Sequence, residues 1–209
     1  DRIMAYYKNV NPDFIDATIL SNHDQNRIMS EVNGDMNKAK MGAALLLTLP
    51  GSPYIYYGEE IGMKGKKPDE QIREPFLWAA KANDDCRTSW VEPQYSTEQA
   101  VTTVAVQQAD KNSLLNHYKS YIKLRNNSPA LSLGELEPVN VNNRAVSAFT
   151  RTHSGESVLV LHNLSGTAAT VAIPADLKEH TQVMHQHNDA KLTKGTAQLP
   201  AYSSLILKK

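Results

Sequence analysis

Asn22-His23-Asp24, with Arg27 just behind, sets an imidazole, a carboxylate and a guanidinium directly after the short apolar run Ala17-Thr18-Ile19-Leu20. An apolar run that stops abruptly in polar residues reads as a short buried strand whose carboxyl end presents those groups beyond the sheet edge. In α/β folds ligands bind outside the carboxyl ends of the strands, and in (β/α) barrels catalytic residues sit there. The rival reading of the tripeptide is a polar strand-to-helix turn, with Asp24 bonded to its own backbone. Further along, Glu59-Glu60, Arg73-Glu74-Pro75, Trp78 and Trp90 are the other residues able to bind or react. His185-Gln186-His187 would put two imidazoles on one face of a strand, a possible metal pair. No third ligand is evident there, and Asn188-Asp189 reads as a turn. No Gly-rich phosphate loop and no Gly-x-Ser-x-Gly elbow occurs, so nucleotide and serine-hydrolase chemistry have no support.

The elements that would position these groups follow from the hydrophobic pattern. Phe14 to Leu20 reads as a strand. Asp35 can cap a helix in which Ala39, Ala43, Leu46 and Leu47 recur at helical spacing, and Pro50-Gly51 ends it. Pro53-Tyr54-Ile55-Tyr56-Tyr57-Gly58 reads as a second buried strand, which makes a βαβ unit with a crossover helix. From Gly58 to about Asp110 no period is sustained. A loop of that length in a compact domain usually has a function or is partly disordered. Asn112-Ser113 opens a further helix, with Leu114, Leu115, Tyr118, Tyr121 and Ile122 on one face, closed by Asn126-Asn127-Ser128-Pro129. From Ala130 onward short runs (146–150, 158–161, 170–173, 204–207) alternate with turn signals, the pattern of an antiparallel sandwich. The boundary is therefore placed near residue 130: 1–130 for the α/β part and 131–209 for an all-β domain.

Bulk properties narrow the ligand. The 209 residues carry 22 Lys+Arg and 22 Asp+Glu, so no basic stripe favours nucleic acid and a neutral polar ligand fits best. Cys86 is the single cysteine, which excludes an internal disulfide and a Cys-based zinc site. No apolar run approaches the roughly 20 residues of a membrane span, so no membrane partner is expected. The opening residues, Asp1-Arg2-Ile3-Met4, show neither an initiator Met nor the order of a signal peptide and read as the middle of a longer chain.

Asn22-His23-Asp24 resembles the fourth signature of the α-amylase superfamily of glycoside hydrolases, an aromatic, two residues, then Asn-His-Asp. Ile19 stands where that family usually has Phe, a departure that touches packing rather than chemistry. Tyr57-Gly58-Glu59-Glu60 and Arg73-Glu74-Pro75-Phe76-Leu77-Trp78 are similar to family segments in the same order. The resemblance implies the last two strand–helix units of a (β/α)8 barrel followed by an antiparallel β-sandwich, in the C-terminal portion of a longer enzyme. It implies a retaining mechanism on α-linked glucans such as starch, with Asp24 as the transition-state-stabilising carboxylate and His23 as a sugar ligand. Arg27 lies close enough to face the same cleft, or to pair with Glu31 at helical spacing; Arg73 is expected at the cleft rim. Both are candidate substrate ligands, and Arg73 has a structural ion pair as its alternative.

The nucleophile and general acid come, in that family, from the fourth and fifth strands, which this sequence does not contain. Glu59, Glu60 and Glu74 are not promoted to fill the gap; Glu60 is expected to orient groups near the last strand. The chain alone is thus expected to be inactive. Trp78 and Trp90 could stack on pyranose rings, though packing is the commoner role of a Trp. Alternatives are an α-1,6-glucosidase, neopullulanase or transglycosylase of the same superfamily, or a non-enzymatic carbohydrate-binding module in the β-rich tail. No cofactor is expected in this stretch; calcium could be held by the missing part of the barrel. Self-association through exposed barrel faces and an extracellular location complete the expectations.

Overall fold

The computed structural model describes residues 2–209. Helix α1 (Arg2–Val10) stops at Asn11-Pro12 and leads into strand β1 (Ala17–Ile19). A single helical turn, α2 (Ile28–Glu31), precedes α3 (Met36–Thr48). The Asp35 side chain accepts the N–H groups of Asn37 and Lys38, satisfying two donors that the first turn of a helix leaves open. Strand β2 (Ser52–Tyr54) then returns parallel to β1, with Ala17 opposite Ser52 and Ile19 opposite Tyr54. The βαβ unit is present as expected, but its strands are shorter and not buried. Ile15, Ile19 and Tyr54 are exposed, because among the described residues the parallel sheet has only these two strands and nothing covers its remaining surface.

The stretch from Gly58 to Asp110, which shows no period in sequence, folds as a string of single turns. It contains 3-10 turns at Glu59–Ile61 and Lys81–Asn83 and helices α4 (Asp69–Ile72) and α5 (Val104–Ala109). Two carboxylates hold it. Glu74 accepts four bonds from the N–H groups of Gln94, Tyr95 and Ser96, at 2.6 to 3.2 Å. Asp84 accepts from Trp78, Ala79 and Arg87. Helix α6 (Leu114–Asn126) follows with Ser113 as its cap, and Pro129, expected only to close it, also opens the short α7 (Pro129–Leu133).

Seven of the eight remaining strands fall in chain order as β3 (Glu135–Pro138), β4 (Val146–His153), β5 (Glu156–Asn163), β6 (Ala169–Ala172), β7 (Gln182–His187), β8 (Lys191–Thr193) and β9 (Thr196–Leu199); β10 (Ser204–Lys208) completes them. They form a five-stranded sheet ordered β3-β4-β5-β10-β7 and a three-stranded sheet ordered β6-β9-β8, antiparallel throughout. The expected sandwich is observed. Its larger sheet is buried on both faces, which explains the unbroken apolar run of β5. Leu159, Leu161, Leu205 and Leu207 point to the smaller sheet, whereas Val158, Val160, Ile206 and Phe149 pack on Met41, Leu47, Tyr118 and Leu131 of the helical layer. The α/β part and the sandwich thus share one core.

Buried polar groups fasten that seam. Arg125 donates to the carbonyls of Leu47, Leu49 and Gly51, and Arg151 donates to those of Thr48 and Gly134. Two cations at the carboxyl end of α3 satisfy its open carbonyls and complement its dipole. Burial lowers the Arg151 pKa to about 10.

Candidate active site

Beyond Leu20 the backbone turns through Asn22, whose side-chain oxygen accepts the Asp24 N–H at 2.8 Å. The turn is therefore closed by Asn22 and not by Asp24, and the Asp24 carboxylate remains free to face outward. It is 62% exposed, beside a His23 side chain that is 66% exposed, and its Oδ2 lies 3.2 Å from His23 Nε2. Arg73, brought in from the end of α4, approaches from the other side. Its Nε and Nη2 donate to the His23 carbonyl at 3.1 and 3.0 Å, and Nη2 lies 3.4 Å from Asp24 Oδ1. The same Nη2 donates to Asp69 at 2.7 Å, an i,i+4 pair on α4. Asp69 also bonds Lys67, and that bond is the largest cause holding its carboxyl below the usual range, with Arg73 adding to it.

Three of the four sequence candidates, His23, Asp24 and Arg73, therefore meet at the carboxyl end of β1. The fourth does not. Arg27 is 1% exposed. Its Nε donates to Ile72 O (3.0 Å), its Nη1 donates to Tyr57 O (2.6 Å), and the guanidinium lies 4.5 and 4.6 Å from the Tyr56 and Tyr57 ring centres. A planar cation with fixed donors suits two buried carbonyls and two π faces, so Arg27 is a strut beneath the edge rather than a sugar contact. It does not pair with Glu31, whose carboxylate accepts from Asn26.

Below the edge, Ser21 is buried and donates to Glu59 Oε2 at 2.7 Å, while Tyr118 of α6 donates to Oε1 at 2.9 Å. Burial pushes the Glu59 carboxyl up, and those two hydroxyls oppose the shift. Burial raises Glu60 too, and its Oε2 has no partner among the described residues. Gly65 lets α4 come this close: a Cβ there would lie 2.4 Å from Gln71 O. Asp69 was missed in sequence, although its Asp69-x-x-x-Arg73 spacing is a legible helical ion-pair signal. Glu74 as a loop clasp left no such signal.

His185 and His187 do share a face of β7, as the strand period requires, but that face looks into the seam. Their rings lie 4.4 Å from Tyr121 and 4.6 Å from His117. Among the described residues no group of three or more His, Cys, Asp or Glu side chains is arranged to hold a metal ion. No helix among them is long and apolar enough to cross a membrane.

A carboxylate, an imidazole and a guanidinium on one open edge can bind a neutral polyhydroxy ligand by accepting from and donating to neighbouring hydroxyls. The family model described as the α-amylase catalytic domain matches residues 1–134, and that of the α-amylase SusG C-terminal domain matches residues 146–206. The chain is 38% identical to alpha-amylase 3 of Dictyoglomus thermophilum over 95% of its length, and 38% identical to alpha-amylase SusG of Bacteroides thetaiotaomicron over 99%. It spans 39% and 31% of those relatives' lengths. The crystal structure of an α-amylase from H. orenii superposes with a TM-score of 0.86 at 33% identity, covering 100% of this chain and 43% of that one. With its catalytic-domain match running through the Asp24 edge and on to residue 134, the chain belongs to the α-amylase family.

Proposed function

We propose that this chain is the carboxyl portion of a retaining α-glucan hydrolase that cleaves α-1,4 links in starch and maltooligosaccharides. Residues 1–130 would supply the last two strand–helix units of its barrel and 131–209 its sandwich domain. Asp24 is the carboxylate that holds the hydroxyls of the sugar undergoing cleavage and stabilises the oxocarbenium-like transition state. His23 donates to the same sugar, and Arg73 lines the rim while fixing the Asp24 carboxylate.

The observation that carries this reading is the open Asp24 carboxylate, which lies against His23 and Arg73 and whose own turn is closed by Asn22. A carboxylate spent on its backbone could not do this work. Retaining hydrolysis needs two further carboxyl groups, a nucleophile and an acid, about 5–5.5 Å apart. On this edge the neighbouring acid is Asp69, bridged to Arg73 and Lys67. As the family resemblance implies, the nucleophile and acid are assigned to earlier barrel strands of a longer enzyme, which would act outside the cell, where polymeric glucan is met.

The test is incubation of the 209-residue chain with starch and with a chromogenic maltooligosaccharide. No turnover is expected from the chain alone, and Asp24→Asn in the intact enzyme is expected to abolish it. Turnover by the chain alone would overturn the placement of the machinery.

A further inference from the structure

Trp78 presents its indole to solvent, 50% exposed, from one of the most constrained backbones of the loop. Its N–H donates to Asp84 Oδ2 at 3.1 Å, the N–H of Ala79 donates to the same oxygen at 3.2 Å, and its carbonyl accepts from Ala105 at 2.9 Å. Phe76 lies against the indole, ring centres 4.5 Å apart and planes at 58°. Phe76 lies in turn 6.4 Å from the Tyr57 ring, and Tyr57 donates its hydroxyl to the Glu74 carbonyl at 2.9 Å. The row begins beside Arg73, the residue bonded to Asp24.

A large apolar ring held rigid and half in water is unfavourable unless something covers it. Trp90 is equally exposed, but no aromatic ring among the described residues braces it. Trp78 lies five positions after Arg73, a span of at most about 17 Å, within a few pyranose rings of Asp24. The electron-rich indole face suits the C–H face of a pyranose, which has no hydroxyl to desolvate.

We propose that Trp78 is an outlying glucan platform, stacking on one ring of an α-glucan whose chain continues to the Asp24 edge. This rests on the α-glucan reading of that edge and adds a determinant of chain length to it.

The experiment uses the 209-residue chain and its two-tryptophan composition. In Trp90→Phe, Trp78 is the sole indole, and its emission is followed on titration with maltoheptaose, with cellohexaose as control. A saturable change with maltoheptaose alone is expected. By calorimetry, Trp78→Ala is expected to bind maltoheptaose about tenfold more weakly, the loss of one aromatic stacking contact. Trp78→Phe should fall between, Trp90→Ala should match wild type, and maltose affinity should barely change. Circular dichroism of Trp78→Ala checks that the fold is kept. Maltoheptaose binding as tight in Trp78→Ala as in wild type would overturn the platform and leave the glucan reading standing. A wild-type chain that binds no maltooligosaccharide would overturn both.

Discussion

Acidification should unfasten the seam between the helices and the five-stranded sheet, because two buried and two half-buried histidines sit there without a carboxylate. His162 is fully buried, its Nε2 2.9 Å from Thr48 Oγ1 and its Nδ1 2.7 Å from Ser204 Oγ. His117 of α6 bonds the Lys40 carbonyl at 2.8 Å and stacks edge-on with His187 of β7, while His185 packs on Tyr121. The charges acting on His117, His162 and His187 are cationic, from neighbouring imidazoles and, for His117 and His187, from Lys40, whereas His185 is shifted by burial alone. Burial lowers His162 and His117 to about 3, and His185 and His187 to about 4. The unfolded chain takes up these protons near pH 6.5 whereas the folded chain refuses them until pH 4 to 3. Stability is therefore full above about 6.5 and falls as pH drops. Each fully buried His loses about 1.4 kcal/mol per pH unit, or about 2 kcal/mol at pH 5. His162 and His117 together lose about 4 kcal/mol, a large part of a typical margin of roughly 5–15 kcal/mol. Carboxylates held below their usual range, such as Glu156, are lost only below about pH 4. Glu59 and Glu60, both raised by burial, work the other way, two groups against four. Urea unfolding followed by circular dichroism between about pH 7.5 and 5 reads the slope. His162→Gln keeps an amide partner for Thr48 or Ser204 and cannot titrate, so its slope should flatten by about 1.4 kcal/mol per pH unit. Stability constant from pH 7.5 to 5, or a variant as acid-sensitive as wild type, would refute the reasoning.

Arg27→Met should leave the Tyr57 carbonyl without its guanidinium donor and the Ile72 carbonyl with only the Tyr56 hydroxyl as a side-chain donor, and lower stability by about 1–3 kcal/mol in urea, with maltoheptaose affinity of the folded protein unchanged; a loss of affinity alone would restore Arg27 as a sugar contact. Glu74→Ala orphans the N–H groups of residues 94–96, of which that of Ser96 is buried. It should cost about 1–3 kcal/mol and speed proteolysis in that loop. Gly65→Ala drives a Cβ into Gln71 O, so α4 must shift with Asp69 and Arg73; calorimetry should show weaker glucan binding together with a lower melting temperature.

Helices α3 and α6 were legible because their signals are local: a capping Asp35 or Ser113, then apolar residues at helical spacing. The position of β1 was equally plain, but its exposure was not, since burial depends on neighbouring strands and not on the run itself. Strand β7, Gln-Val-Met-His-Gln-His, reads as polar, and its partners are set by β10, some twenty residues on. The cluster of His23, Asp24 and Arg73 was legible in outline from residue types. What distinguished Arg73 from Arg27 was not: Arg27 is buried by carbonyls 30 and 45 residues away, which leave no mark on side-chain identity. The clasp by Glu74 is hidden for the same reason, its donors being backbone N–H groups.

The most direct test of the central claim is a crystal structure of this chain soaked with maltoheptaose. One glucosyl ring should lie within hydrogen-bond distance of both Asp24 Oδ atoms or of Asp24 and His23 Nε2, against Arg73. Sugar bound solely on the strands beyond residue 135, with the β1 edge bare, would contradict it and make the chain a carbohydrate-binding module instead.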